Sequence, residues 1–232
     1  MLDMEHNLAL YCMHDAAQFP RYQVSSPLLT ILHWGLRFHG MQLIHAAAVG
    51  TPALGGVLIV GKGGSGKSTT ALTCLNSEFS YVSDDYCLLS TNPVAYVYNL
   101  YNSAKLDAND VQHLPYLAST LDQPDTLYDG KRLIFVNRQY PEKTVNGFPL
   151  RAILVPRITG RAETKVRPTS SATALRALAP NTMFQLTGFD TAAFETIAAV
   201  IKEVPCYTLE LGTDRAAIPA VIMDVLSQHA HA

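Results

Sequence analysis

Cysteine is scarce in this chain. Cys12, Cys74, Cys87 and Cys206 are widely scattered, and none forms a Cys-x-x-Cys pair. That speaks against a zinc site and against a disulfide framework; apolar neighbours favour buried free thiols and a cytoplasmic setting. An excess of one charge is lacking too. With a net charge of −2 there is no basic field, so neither nucleic acid nor a membrane surface is an expected partner. No apolar run reaches membrane-spanning length, and residues 1–6 lack the basic start and apolar block of a secretory signal. Repeats and low-complexity tracts are missing. What remains is a 48% hydrophobic chain of 232 residues, ample for a substantial core. The expectation is one domain over 1–232, with residues 1–40 as a strand-and-helix appendage packed on it.

Against that background one segment stands out. Residues 61–68 read Gly61-Lys62-Gly63-Gly64-Ser65-Gly66-Lys67-Ser68, a complete Gly-x-x-x-x-Gly-Lys-Ser loop. The apolar run Val57 to Val60 precedes it as a buried strand. Thr69 to Leu75 follows as a helix. Glycines open backbone torsions closed to other residues, so successive N–H groups can turn inward around a polyphosphate. The helix N-terminus adds its positive dipole end. Lys67 supplies a mobile charge, and the Ser68 hydroxyl is placed for Mg²⁺. Residues 61–69, including Thr69, are therefore the expected nucleotide cradle.

The remaining pattern mixes strands and helices, and predicts an α/β fold: a mixed sheet with flanking helices. Residues 1–25 hold one or two strands. Ser25 or Ser26 with Pro27 starts a helix through Leu36, which Gly40 ends. Gln42 to Val49 reads as one strand, and Gly50 to Gly56 as a turn. Further strands fall at Phe79 to Tyr86, Cys87 to Leu89, Tyr96 to Leu100 and Leu133 to Val136. Val111 to Thr120 is partly helical, interrupted by Pro115. Asp122 to Lys131 is polar and turn-rich, a candidate mobile loop beside the site. Arg151 to Val155 is a short core strand closed by Pro156. A helix capped at Ser170 or Ser171 runs to Pro180, another from Asp190 to Lys202, and a last one from Asp214 to about Gln228. Cys206 to Leu211 alternates as a strand.

Asp84 and Asp85 end an apolar strand about fifteen residues past the loop. Adjacent residues on an extended segment face opposite ways, so the two carboxylates divide between a metal and a substrate hydroxyl. His45 lies in an apolar stretch. It is either a hydrogen-bonded core residue or, if its strand lies beside that of Asp84, a group orienting a carboxylate. Lys105 and the pair Lys131-Arg132 are either solvated or the extra cations that phosphoryl transfer requires.

The series Ile44-His45-Ala46-Ala47-Ala48-Val49, then the loop, then Val82-Ser83-Asp84-Asp85 resembles the catalytic core of the HPr kinase/phosphorylase family. Four later stretches resemble a smaller branch found beside genes for ribosomally made lasso peptides: Leu100 to Leu106, Pro149 to Pro156, Leu178 to Leu186 and Val204 to Tyr207. The resemblance implies a fold related to phosphoenolpyruvate carboxykinase and a protein-serine kinase using ATP and Mg²⁺. It implies Ser68 and Asp85 as metal ligands and Asp84 as base on the acceptor hydroxyl, with His45 beside it. The branch implies a ribosomal precursor peptide as partner, phosphorylated on its C-terminal serine. The Glu-x-Arg-Gly-x-Gly signature of the bifunctional enzymes has no match here, and the chain is too short for their extra N-terminal domain. Both departures speak against a phosphorylase reaction and against HPr as substrate. Self-association stays open. The leading expectation is a peptide serine kinase; the alternatives are a P-loop nucleotide hydrolase acting on a partner and a non-catalytic nucleotide-binding subunit.

Overall fold

The computed structural model describes residues 1–20, 23–107, 114–120, 131–188 and 190–229. A hairpin of β1 (Leu2–Asp3) and β2 (Leu8–Ala9) opens the chain, followed by α1 (Leu29–Arg37). Strands β3 (Gln42–Ile44), β4 (Ala47–Thr51) and β5 (Gly55–Ile59) lead to α2 (Lys67–Leu75). Next come β6 (Ser80–Ser83), β7 (Cys87–Ser90), β8 (Tyr96–Asn99) and β9 (Ser103–Asp107). Then β10 (Lys131–Phe135), the single turn α3 (Val136–Gln139), β11 (Gly147–Ile158) and β12 (Lys165–Pro168) follow. Helices α4 (Ser171–Gln185) and α5 (Thr191–Glu203), strand β13 (Cys206–Leu211) and helix α6 (Ile218–Gln228) complete it.

Among the described residues the main sheet has nine strands, ordered β3-β7-β8-β11-β5-β4-β6, with β13 paired to β11 and to β12. It is mixed: β11 runs parallel to β5 and β13 but antiparallel to β8. The expected α/β class with a mixed sheet and flanking helices is what forms. Strand β5 shows why. Its side chains alternate between faces, and every one is buried, so the strand reads as an unbroken apolar run. Val57 and Ile59 join a core with α2 and α6. Leu58 and Val60 join a second core with Leu178 of α4 and Ile197 of α5. Each helix pair thus covers one face of the sheet.

Several boundaries differ from expectation, each for a physical reason. The stretch Gln42 to Val49 is two strands, because β3 pairs β7 while β4 pairs β6, and the chain breaks at His45-Ala46 to change neighbours. The expected turn over 50–56 shrinks to a hairpin turn, since β4 and β5 pair as far as Thr51↔Gly55. Strand β11 runs through Pro156 rather than stopping there. The Ile153 N–H donates to Pro205 on the β13 side, so by alternation the position of the missing Pro156 N–H faces β5. By then β5 has ended, and no ladder bond is lost. Helix α4 likewise passes through Pro180. That proline and Arg176, whose carbonyl loses its partner, are both exposed, so water can satisfy the gap. Ser170 and Asp190 cap their helices as expected, accepting from Thr173 and Ala193. Ser25 and Ser26 do not cap α1; Leu28 does so in a left-handed conformation with no side-chain hydrogen bond. Pro115 starts a short 3₁₀ turn, Pro115–Thr120, instead of interrupting a helix. The candidate mobile loop falls mostly on 121–130, outside the described residues, as do 111–113.

The amino-terminal residues are tied to the core by long-range hydrogen bonds. Trp34 Nε1 donates to the Thr187 carbonyl at 2.9 Å, Tyr101 to Pro27 at 2.7 Å, and Ser103 to Ser25 at 2.6 Å. Within α1, His33 is fully buried, and among the described residues neither ring nitrogen has a hydrogen-bond partner. Burial pushes its pKa down, with the nearby Arg37 charge adding to the effect. The unfolded chain takes up a proton near pH 6.5 that the folded protein refuses, so this contribution is present above that pH and is lost as pH falls. One proton bounds the slope at about 1.4 kcal/mol per pH unit. His33→Leu is expected to flatten the loss of stability between about pH 7.5 and 5.5, measured by urea unfolding. An unchanged slope would assign the effect to other groups.

Candidate active site

Strand β5 leads into the glycine loop, and α2 begins at Lys67. Two glycines show why the loop needs its composition. A Cβ on Gly61 would lie 2.5 Å from Ser65 Oγ. Gly66 adopts φ +102°, and a Cβ there would meet Leu211 Cδ1 at 2.6 Å. At Gly63 and Gly64, by contrast, nothing lies within 4 Å of an added Cβ, so the loop backbone faces open space. Lys67 is buried, and its Nζ donates to the carbonyls of Gly61 at 2.8 Å and Lys62 at 3.3 Å. Burial lowers its pKa, while Asp84 and then Asp85 oppose that shift. An ammonium group has three donors, so one stays available to an anion. Ser65 Oγ is buried without a partner among the described residues. A loop of open glycines with a buried cation and an unsatisfied hydroxyl fits a polyphosphate.

The carboxylates sit at the break between β6 and β7. Ser83 pairs with Ala48, and Cys87 with Ile44, so residues 84–86 lie opposite residues 45–47, His45 among them. That register is what brings His45 to the pair. The segment is not extended, as expected from sequence, but bent: Asp85 has φ +70°. A non-glycine residue held there stores strain of about 1 kcal/mol or more, and such residues gather at functional sites.

The bend separates the two acids. Asp84 is 1% exposed; its Oδ1 accepts from Ser68 Oγ at 2.9 Å and its Oδ2 from the Lys105 N–H at 3.3 Å. Asp85 Oδ2 lies 2.6 Å from Lys105 Nζ, and its Oδ1 lies 3.4 Å from His45 Nε2. The acid beside Ser68 is therefore Asp84, where the family resemblance implies Asp85. Burial and the neighbouring Asp85 charge push Asp84 up to about 6. Burial acts to raise Asp85 as well, but the His45 imidazole and the Lys105 charge outweigh it and hold that carboxyl well below the usual range. Burial in turn lowers His45, which keeps the imidazole neutral near pH 7 despite Asp85.

A cavity of about 850 Å³ joins these groups. Gly63, Gly64, Gly66, Lys67, Ser68, Thr69, His45, Asp85, Lys105 and Lys131 line it. Arg132, the strand neighbour of Lys131, does not, because adjacent strand residues face opposite ways; the expected Lys131-Arg132 clamp reduces to Lys131. Lys62 of the loop is exposed and contributes its carbonyl to Lys67. Beside Gly66 the cavity wall is Ile158, Leu211, Gly212 and Arg215. Beyond Asp85 it is Tyr86, Gln185, Leu29, Gln23 and Tyr11, the last two joined by a 2.9 Å hydrogen bond. Sequence reasoning assigns no role to these walls; apart from Tyr86, which follows Asp85, they come from segments distant along the chain. Among the described residues no group of three or more His, Cys, Asp or Glu is arranged to hold a metal. Ser68 with Asp84 is a hard oxygen pair of the kind that takes Mg²⁺ when phosphates complete the coordination.

No family model matches the chain, and no curated protein matches it. Among solved structures it is similar to the Hpr(Ser) kinase/phosphatase from Coxiella burnetii, at 12% identity over 81% of this chain and 95% of that one, with a TM-score of 0.42. Among the described residues no helix is long and apolar enough to cross a membrane.

Proposed function

We propose that the protein is a kinase that transfers the γ-phosphoryl group of ATP to a serine hydroxyl of a peptide. The C-terminal serine of a lasso precursor peptide is the acceptor that the sequence resemblance favours. The observation that carries the reading is the division of the acids. Asp84 backs the Ser68 hydroxyl at the phosphate loop, while Asp85, ionised between His45 and Lys105, faces the cavity. This exchanges the roles expected from sequence, because Asp84 is shielded behind Ser68 and a base must reach the acceptor.

In this reading the loop N–H groups and Lys67 hold the β- and γ-phosphates. Mg²⁺, held through Ser68 and Asp84, offsets phosphate charge when bound. The serine Oγ forms the new bond to the γ-phosphorus as the bond to the β-phosphate oxygen breaks, and ADP leaves. The hydroxyl proton passes to Asp85. Neutral His45 orients that carboxylate, and Lys105 and Lys131 supply further positive charge. The acceptor enters past Tyr86 and Gln185, along the amino-terminal wall.

The test is direct. The protein is incubated with ATP, Mg²⁺ and a synthetic peptide ending in serine, and the peptide is weighed by mass spectrometry. One added phosphate is expected, and none on the same peptide ending in alanine. ATP consumption at an equal rate with and without peptides, with no mass increase over a panel of precursor-like sequences, would favour a hydrolase instead.

A further inference from the structure

The cavity wall beyond Asp85 is used in the chemistry above; the wall beside Gly66 is not. Strand order decides what that second wall can serve. Strand β4 runs antiparallel to both β5 and β6, while β11 runs parallel to β5 and to β13. Strands β6, β5, β11 and β13 therefore point the same way, and their carboxyl ends open on one edge of the sheet, the edge where ligands of α/β sheets gather. Along it the order is β6, β4, β5, β11, β13. The acids follow β6 and the glycine loop follows β5. The acids thus lie two strands to one side of the loop, and the end of β13 lies two strands to the other. With its γ-phosphate turned to the acids, a nucleotide in the loop trails its sugar and base over the ends of β11 and β13.

The surface there has the chemistry of a stacking platform. Ile158 ends β11 and Leu211 ends β13; the two are register partners on parallel strands, so their side chains stand on the same face. Leu211 is buried, but Ile158 is 66% exposed, a large apolar side chain left open at the cavity. Arg215 lines the same wall and brings a planar cation of the kind that stacks on rings. The backbone beside them is already engaged. The N–H groups of Gly212, Thr213 and Asp214 donate to Thr164 Oγ1 and to the carbonyls of Arg161 and Ala162. The Leu211 carbonyl accepts from the Thr159 N–H at 3.1 Å and from its hydroxyl at 3.0 Å, which uses both lone pairs. A ring laid here meets apolar and cationic surface, while these backbone groups are spent on one another.

We propose that Ile158, Leu211 and Arg215 form the site for the nucleotide base, and that it selects purines by the area they stack rather than by hydrogen bonds to the ring edge. This rests on the reading of the glycine loop as a nucleotide cradle. Mg²⁺–ATP and Mg²⁺–GTP are expected to bind within about fivefold of each other, and Mg²⁺–CTP about tenfold or more weaker than Mg²⁺–ATP, because a single ring buries less apolar surface.

The experiment is calorimetry on the full chain with the Mg²⁺ complexes of ATP, GTP, CTP and inorganic tripolyphosphate. Ile158→Ser is expected to weaken ATP about 5- to 10-fold and to bring the ATP-to-CTP ratio to about threefold or less, with tripolyphosphate within about twofold of wild type. Wild-type protein that binds CTP as tightly as ATP would overturn the proposal. A gap between ATP and GTP well beyond fivefold would overturn it too, since the ring edge would then be read. So would an Ile158→Ser affinity for ATP equal to wild type, or an equal loss for ATP and tripolyphosphate, which would make Ile158 merely structural. Thermal unfolding checks the fold, and Ile158→Ala carries the same comparison if the serine variant does not fold. A wild-type protein that binds neither ATP nor tripolyphosphate would instead refute the nucleotide reading, a separate outcome seen before any variant is made.

Discussion

Asp85→Asn is expected to lower kcat for serine phosphorylation by about 10²- to 10⁴-fold while leaving Mg²⁺–ATP affinity within about threefold. The substitution keeps size and hydrogen-bonding capacity but removes the proton acceptor. Asp85 lines the cavity, and the partners seen for it are His45 and Lys105 rather than the phosphate loop. Its loss should therefore register in the chemical step and not in nucleotide binding. Asp84→Asn should behave differently. It alters the partner of Ser68, so affinity for Mg²⁺–ATP and kcat should fall together. Steady-state kinetics and calorimetry on the two variants separate the roles. A strong loss of nucleotide affinity in Asp85→Asn, with chemistry spared, would return the metal role to Asp85.

Lys67→Met should reduce kcat/KM by about 10³-fold, since a buried cation aimed at developing phosphate charge is among the costliest groups to remove from such a site. Stability should move the other way or not at all. Lys67 is a desolvated charge held by two backbone carbonyls, and burial already lowers its pKa. Methionine fills similar space without that desolvation penalty. The Gly61 carbonyl keeps Asn181 as a donor. A thermal midpoint no lower than wild type, beside a near-complete loss of turnover, is the expected pair of results. Such a combination is what a site selected for chemistry at the expense of stability shows. A large fall in the midpoint would make Lys67 a structural residue, and turnover near wild type would remove it from the mechanism.

Local features are legible in the residues alone. Strand β5, the glycine loop and α2 are one contiguous stretch whose order is readable from its own residues: an apolar run, glycines at 64 and 66 with positive φ, then the start of a helix at Lys67. The helix caps at Ser170 and Asp190 are legible for the same reason, since cap and partner lie three residues apart. His45 can be named as a candidate, but its meeting with Asp85 hangs on whether two strands are neighbours.

Other features mislead when taken locally. Pro156 and Pro180 read as stops because an isolated proline removes a donor. Whether that donor is needed depends on what stands opposite: at Pro156 a neighbouring strand that has already ended, at Pro180 solvent. Serine at 25 and 26 looks like a cap, yet both side chains are buried and the Ser25 carbonyl bonds Ser103 across the fold. The partner of Ser68 is likewise decided beyond the local sequence: its hydroxyl donates to Asp84. A bend at φ +70° reverses which of two adjacent acids turns toward the loop, and the bend arises where the chain passes from pairing with β4 to pairing with β3.

By itself the sequence determined which groups are available: a glycine loop, a lysine and a serine hydroxyl at its end, and two acids nearby. Those belong to short contiguous segments, and short-range sterics and hydrogen bonding specify them. The tertiary structure decided how those groups are shared out. It chose the acid beside Ser68, set Lys105 and His45 on the other, and brought Asn181 to Gly61 across 120 positions. Partners so far apart meet only through strand register and helix packing, which depend on the whole chain at once.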